Sequence, residues 1–347
     1  MTAPAAGTDG ASAARESEEQ LEKELSEPWG RPAEIAGGLE GDVLVLGAGG
    51  KMGPTLAMLL RRAAKGTVVA ASRWSDDAAR ARLERSGVRT VSVDLLDRDA
   101  YRGLPAAPTV YYLAGMKFGA SARQDLTWAM NAYVPALVAE HFRASRIVVF
   151  STGNVYPLLP VAGRGATEET EPAPVGEYAQ SCLARERMFQ YFSGRYGTPV
   201  TIVRLNYSNE PRYGIIVDVA SRILAGEEID LAMGHVNLIW QGDANAYIAA
   251  SVELAASPPA VLNVAGPGTV RVRDLASDLA RLLGREARVA GTEQPTALLA
   301  DASRCLRLYG PPRAALPWMT ERIAGWLASG GRTLGKPTKY QVRDGHF

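Results

Sequence analysis

Six short aliphatic runs recur along the first two thirds of the chain, interleaved with helical patterns, and this alternation constrains the fold more than any other feature. The runs are Asp42–Leu46, Thr67–Ser72, Thr90–Val93, Thr109–Leu113, Arg146–Ser151 and Pro199–Arg204. Helices are expected over Met52–Lys65, Asp76–Ser86, a long stretch from the fourth run to about Ala144, and near Gly176–Tyr196. Continuous apolar strands alternating with helices imply a parallel sheet covered on both faces. Right-handed crossovers then give a doubly wound α/β (Rossmann) domain.

Beyond Asn206 helical patterns dominate, at Ile215–Ala225, Asp243–Ala256, Arg273–Leu283 and Trp318–Ala328, with one more strand at Val261–Val264. This part reads as a small, mostly helical lobe. The expected division is a flexible N-terminal tail over residues 1–40, a sheet domain over 41–206, a substrate-binding lobe over 207–335 partly interleaved with the sheet, and a C-terminal tail over 336–347. The first 40 residues are rich in Ala, Gly, Ser and then Glu, with a short helical pattern over 16–25 and too few apolar residues for a core.

Composition narrows the function classes. Lys and Arg total 38 and Asp and Glu 37, a net charge of +1, which gives no support for nucleic-acid binding. Cys182 and Cys305 are the only cysteines, so a disulfide framework is excluded, and with three histidines no zinc spacing occurs. The start lacks a basic, then apolar, export pattern, and no apolar run reaches the roughly 18 residues of a membrane span. A cytoplasmic protein with a small-molecule partner, not nucleic acid or membrane, is expected.

The first strand runs into Gly47-Ala48-Gly49-Gly50-Lys51-Met52-Gly53. Gly47 suits a tight turn, Gly50 lets backbone approach a pyrophosphate, and Gly53 lets helix and strand pack closely. The helix N-terminus adds free N–H groups and positive potential. Lys51 and Met52 belong to the same loop. Ser72 and Arg73 end the second strand, where an acidic residue would bind ribose hydroxyls and an arginine accepts a 2′-phosphate. NAD(P) is the expected cofactor, with NADP favoured. Asp94 and Leu95 follow the third strand; Asp94 is placed either to reach the adenine or to cap a helix.

Further segments carry a family resemblance. They are Leu113-Ala114-Gly115, Ser151-Thr152-Gly153-Asn154-Val155-Tyr156, Tyr178 opening its helix, Ile239-Trp240-Gln241-Gly242-Asp243 and Leu262-Asn263-Val264-Ala265-Gly266. With the glycine loop they make the chain, from about Gly41 to Ala328, resemble the extended short-chain dehydrogenase/reductases in their epimerase/dehydratase branch. The resemblance implies that Tyr178 is the general acid/base, that Thr152 beside Ser151 holds the substrate oxygen, and that a lysine four residues after the tyrosine lowers its pKa and binds the nicotinamide ribose. A nearby cation favours the phenolate, and positions i and i+4 share a helix face. Here that position is Cys182, and no lysine occurs between Phe118 and Gly335.

Three outcomes follow. Lys117, near where the ribose would lie and similar to a lysine of some sugar epimerases of the family, replaces the charge, with Arg185 two turns beyond Tyr178 a more distant alternative. Or Tyr178 keeps a high pKa and only donates. Or the fold binds a dinucleotide without chemistry. Cys182 reads as a small buried residue rather than a nucleophile. Substrate contacts are expected from Thr152, Asn154, Asn206, Arg212, His235 and Trp240, the last as either ring platform or core; Tyr207, Glu210, Tyr213 and Asn237 are in the same segments. Asn131 matches a family asparagine near the active site. A homodimer through Trp128, Ala132, Leu137, Met188, Phe189 and Phe192 is expected, unless these pack on the sheet. The leading reading is an NAD(P)-dependent oxidoreductase or epimerase acting on a hydroxyl-bearing carbon of a carbohydrate or sugar acid; the alternative is a non-redox dinucleotide-binding regulator or scaffold.

Overall fold

In the computed structural model, which describes residues 18–117 and 119–346, seven parallel strands form one sheet. They are β1 (Val43–Leu46), β2 (Val68–Ser72), β3 (Arg89–Ser92), β4 (Thr109–Tyr112), β5 (Arg146–Thr152), β6 (Val200–Leu205) and β7 (Ala260–Val264). Their spatial order is β7-β6-β5-β4-β1-β2-β3. The chain steps outward from β1 to β3 and returns to β4 on the other side of β1. The crevice beyond the carboxyl ends of β1 and β4 is therefore the place for a ligand.

The aliphatic runs become strands because both sheet faces are covered. Val43 and Val45 enter one core layer with Leu56 and Tyr247, while Leu44 and Leu46 enter the opposite layer with Tyr112 and Phe189. Alternate side chains of a strand point to opposite faces. The helices are α1 (residues 18–25), α2 (Gly30–Gly37), α3 (Gly53–Ala63), α4 (Asp77–Arg85), α5 (Gln124–Trp128), α6 (Val134–His141), α7 (Gly176–Tyr196), α8 (Ile215–Ala225), α9 (Gln241–Ala250), α10 (Val272–Leu283), α11 (Ser303–Tyr309) and α12 (Leu316–Ala328). The long helix expected after β4 is α5 and α6 joined by one π-turn over Ala129–Tyr133. Asp76 caps α4 by accepting from the Ala79 N–H at 3.0 Å.

Both expected tails need correction. Residues 1–17 lie outside the described residues, but 18–40 are folded. Leu21 and Leu25 are fully buried in the lobe core, and Glu22 pairs with Arg82 and Arg212. Two leucines four apart on a helix make an apolar stripe that average composition conceals. At the other end, Thr338 and Tyr340 are 5% and 4% exposed, so both side chains are packed rather than free. Among the described residues, no helix is long and apolar enough to cross a membrane.

Candidate active site

The glycine loop is held by backbone proximity. Gly47 adopts φ +80°, and a Cβ there would lie 2.5 Å from the Ala114 nitrogen; a Cβ on Gly53 would collide with the Ala48 carbonyl. Beside the loop is a cavity of about 270 Å³, bounded by Gly47, Gly50, Ser72, Arg73, Asp94, Leu95 and Leu113–Gly115. A cradle that side chains would fill, at the N-terminus of α3 and the sheet's switch point, fits a dinucleotide. Asp94 lines it while bracing its own turn, accepting from the Leu96 N–H at 3.0 Å. Trp74, which sequence reasoning passed over, forms another wall, its indole donating to the Val91 carbonyl at 2.8 Å.

A second cavity of about 250 Å³ shares Leu113 and Gly115 with the first. It brings together residues from separate segments: Lys117 after β4, Ser151, Thr152 and Asn154 at the end of β5, Tyr178 in the first turn of α7, and Asn206 after β6. The Thr152 hydroxyl oxygen accepts from the Asn154 N–H at 3.2 Å. Burial holds the Tyr178 phenol well above its ordinary pKa, and Cys182 adds to this; Arg185 and a hydrogen bond with Thr152 oppose it. Lys117 Nζ donates to the Thr338 carbonyl at 3.2 Å and stands 5.9 Å from the Tyr178 ring centroid. Burial lowers its pKa to about 8 against the opposing influence of Cys182 and Asp218.

Lys51 and Met52 face this second cavity rather than the glycine cradle. Lys51 Nζ donates to the Ser208 carbonyl at 2.8 Å and lies 3.9 Å over the Tyr213 ring. Burial lowers its pKa to about 7, with Glu210 opposing. The Ser151 hydroxyl is committed to Glu186, which is itself in a buried ion pair with Arg204 at 2.7 Å.

Four expected site residues lie elsewhere. Cys182 is fully buried in the lobe-side core and lines neither cavity; burial raises its thiol pKa, which suits packing rather than nucleophilic chemistry. Arg212 is 7% exposed and ion-paired with Glu210 and Glu22, so it anchors α1 instead of a substrate. His235 pairs with Arg271 in a two-residue ladder outside both cavities. Trp240 is core: it is 3% exposed and packs edge-on against Trp318 with centroids 5.0 Å apart. Asn237 is likewise internal, accepting from the Ala300 N–H at 2.8 Å. In the expected dimer face, Leu137 and Phe189 turn inward, the latter against Tyr112, while Trp128 stays exposed.

One contributor was not expected at the cavity, and a second was expected only as the more distant cation. Thr338 closes one wall, held by the Asp218 carboxylate, which accepts from its N–H at 2.7 Å. Arg185 forms another wall. Its link to Asn131 is a buried network: Asn131 Oδ1 accepts from the Met116 N–H at 2.8 Å and from Arg185 Nη2 at 2.7 Å, and Nδ2 donates to Ser181 at 3.0 Å. The same-face spacing of residues 178 and 185 was the signal available for it.

Fold and cleft together define a doubly wound dinucleotide-binding protein with a covering lobe. A family model described as the NAD dependent epimerase/dehydratase family matches residues 43–242, and the chain belongs to that family. Among solved structures, UDP-glucuronic acid 4-epimerase from Bacillus cereus in complex with NAD is similar at a TM-score of 0.71 and 19% identity, over 83% of this chain and 99% of that one. UDP-glucose 4-epimerase from Thermotoga maritima with UDP-glucose is similar at 0.70 and 16% identity, over 83% and 99%. Pal from Bacillus thuringiensis is similar at 0.71 and 17% identity, again over 83% and 99%. No curated protein matches the chain in sequence.

Proposed function

We propose that the protein is an NAD(P)-dependent oxidoreductase or epimerase acting on a hydroxyl-bearing carbon of a carbohydrate or sugar acid. The observation that carries this reading is the junction of the two cavities at Leu113 and Gly115, with Tyr178 and Thr152 on the far side of that junction from the glycine cradle. The UDP-glucuronic acid and UDP-glucose named for two similar structures support a sugar-type substrate. The walls of the second cavity contribute Lys51, Lys117 and Arg185 and no carboxylate among the described residues, which favours a substrate carrying negative charge.

The glycine cradle and Leu113–Gly115 would hold the dinucleotide, whose nicotinamide supplies hydride acceptance and return. Tyr178 handles the proton. Its high pKa keeps the phenol neutral and able to donate a hydrogen bond to a carbonyl oxygen, and makes removal of a hydroxyl proton, which needs the phenolate, the more demanding direction. Thr152 orients the oxygen. Lys117 adds positive charge on the same side and is charged mainly below about pH 8. Arg73, exposed at the rim of the first cavity, governs the choice between NAD and NADP.

The test is calorimetry with NAD, NADH, NADP and NADPH, then turnover on sugars and sugar acids with the form that binds. Turnover abolished by Tyr178→Phe supports the reading. Binding without turnover on any such substrate favours a non-catalytic dinucleotide-binding protein. Failure of all four dinucleotides to bind removes both.

A further inference from the structure

Cys182 leaves α7 without a cation one turn beyond Tyr178, yet a buried positive charge lines the same cavity. Arg185 follows Tyr178 by seven residues, two helical turns, so both leave the same face of α7. Helical side chains lean toward the N-terminus, and an arginine is long enough to bring its charge back about one turn.

The guanidinium has a built seat. Nη1 donates to the Phe150 carbonyl at 2.8 Å, and Nη2 donates to Asn131 Oδ1 at 2.7 Å. Nη2 also lies against Gly115, where any Cβ would collide with it. Gly115 borders both cavities, so the seat stands at their junction. Arg185 is 6% exposed, and its Nε has no hydrogen-bond partner among the described residues. Glu186, the nearest carboxylate in sequence, is committed to Arg204 and Ser151. The titratable groups facing Arg185 are Tyr178, Cys182 and Glu186 on α7 and Tyr112 on β4, while Lys117 faces Cys182 from the loop after β4.

We propose that Arg185 is a positioning residue whose fixed charge, seated by Phe150, Asn131 and Gly115, sets the proton affinity of Tyr178 in place of the lysine absent at position 182. The proposal rests on the reading of Tyr178 as the acid/base group. Arg185 and Lys117 then have separable roles. Lys117 loses its charge near pH 8, whereas a guanidinium keeps its charge across the working range.

The test uses the whole chain with 3,5-difluorotyrosine at position 178. Its more acidic phenol brings the titration down toward the range where proteins stay folded, and its ¹⁹F resonance reports ionisation without cofactor or substrate. Arg185→Met is expected to raise that pKa by about one unit or more. Arg185→Lys is expected to stay nearer the parent, and adding Cys182→Lys to Arg185→Met is expected to bring the titration back. Gly115→Ala displaces the guanidinium without removing its charge, and is expected to raise the pKa too; it carries the test should Arg185→Met fail to fold.

An unchanged titration in folded Arg185→Met or Gly115→Ala overturns the proposal, and turnover lost in Tyr178→Phe would then leave the acid/base reading standing. Full turnover in Tyr178→Phe overturns that reading, and the proposal falls with it.

Discussion

The two halves of the cleft are built from different materials. The dinucleotide half is backbone and absent side chains: Gly47 against Ala114, Gly53 against Ala48, and an open end of α3. The other half is long side chains buried with their charge or hydroxyl: Lys51, Lys117, Arg185 and Tyr178, contributed by separate segments. The first half gathers a short glycine loop and the ends of neighbouring strands, and tolerates little at Gly47 and Gly53 because nothing can be added there. The second is assembled by the whole fold, and its chemistry depends on how far burial shifts each group. A backbone cradle can therefore persist while the other end of the cleft is rebuilt, which is how a chain with Cys182 can keep the glycine loop.

Substitutions should separate the halves. Tyr178→Phe should lower turnover by about a thousandfold, the middle of the range for acid/base groups, with dinucleotide affinity unchanged by calorimetry. Loss of both together would mean that the halves are not independent.

Arg212→Ala should cost about 3–5 kcal/mol in urea unfolding, because it leaves Glu22 and Glu210 buried without their shared partner. Once folded at low temperature, the variant should still bind dinucleotide.

Gly47→Ala should cost about 1–3 kcal/mol through its φ of +80° and its approach to Ala114, and should weaken dinucleotide binding at least tenfold.

The smallest effect is a slope. The folded pKa of Lys51, about 7, is below its unfolded value near 10.5, so the folded state holds fewer protons between them. Stability contributed by this group therefore rises with pH across that window. Lys51→Met should flatten that rise in unfolding midpoints between pH 7 and 10; a steeper rise would contradict the shift.

Much of this was legible in the sequence. The helix over Gly176–Tyr196 has the expected ends, and Tyr178 and Thr152 do meet across the cleft. These follow from local periodicity and from strands that run in parallel to one end of the sheet. The features missed depend on distant partners. Arg212 read as a cleft cation because the carboxylate that claims it, Glu22, is 190 positions away in a segment judged mobile. Trp240 offered an aromatic face, but only the folded chain shows Trp318 covering it. Arg185, the more distant alternative by position along the helix, lines the cavity because its side chain reaches back. Thr338 carries no motif; its place depends on Asp218, 120 residues earlier.

The π-turn over Ala129–Tyr133 has a consequence of its own. It holds one residue more than regular winding requires, and Asn131, fully buried, sits in its middle. Each residue advances an α-helix by about 100° and the wider turn absorbs the extra one, so removing one residue here would leave the buried Val134, Leu137 and Val138 of α6 on their face but swing the Asn131 amide off its own. Exchanging Ala132 for another small residue leaves that phase intact, whereas a one-codon deletion does not. The seat beneath Gly115 is thus encoded partly in how many residues precede it, a quantity that insertions and deletions change and point substitutions leave alone.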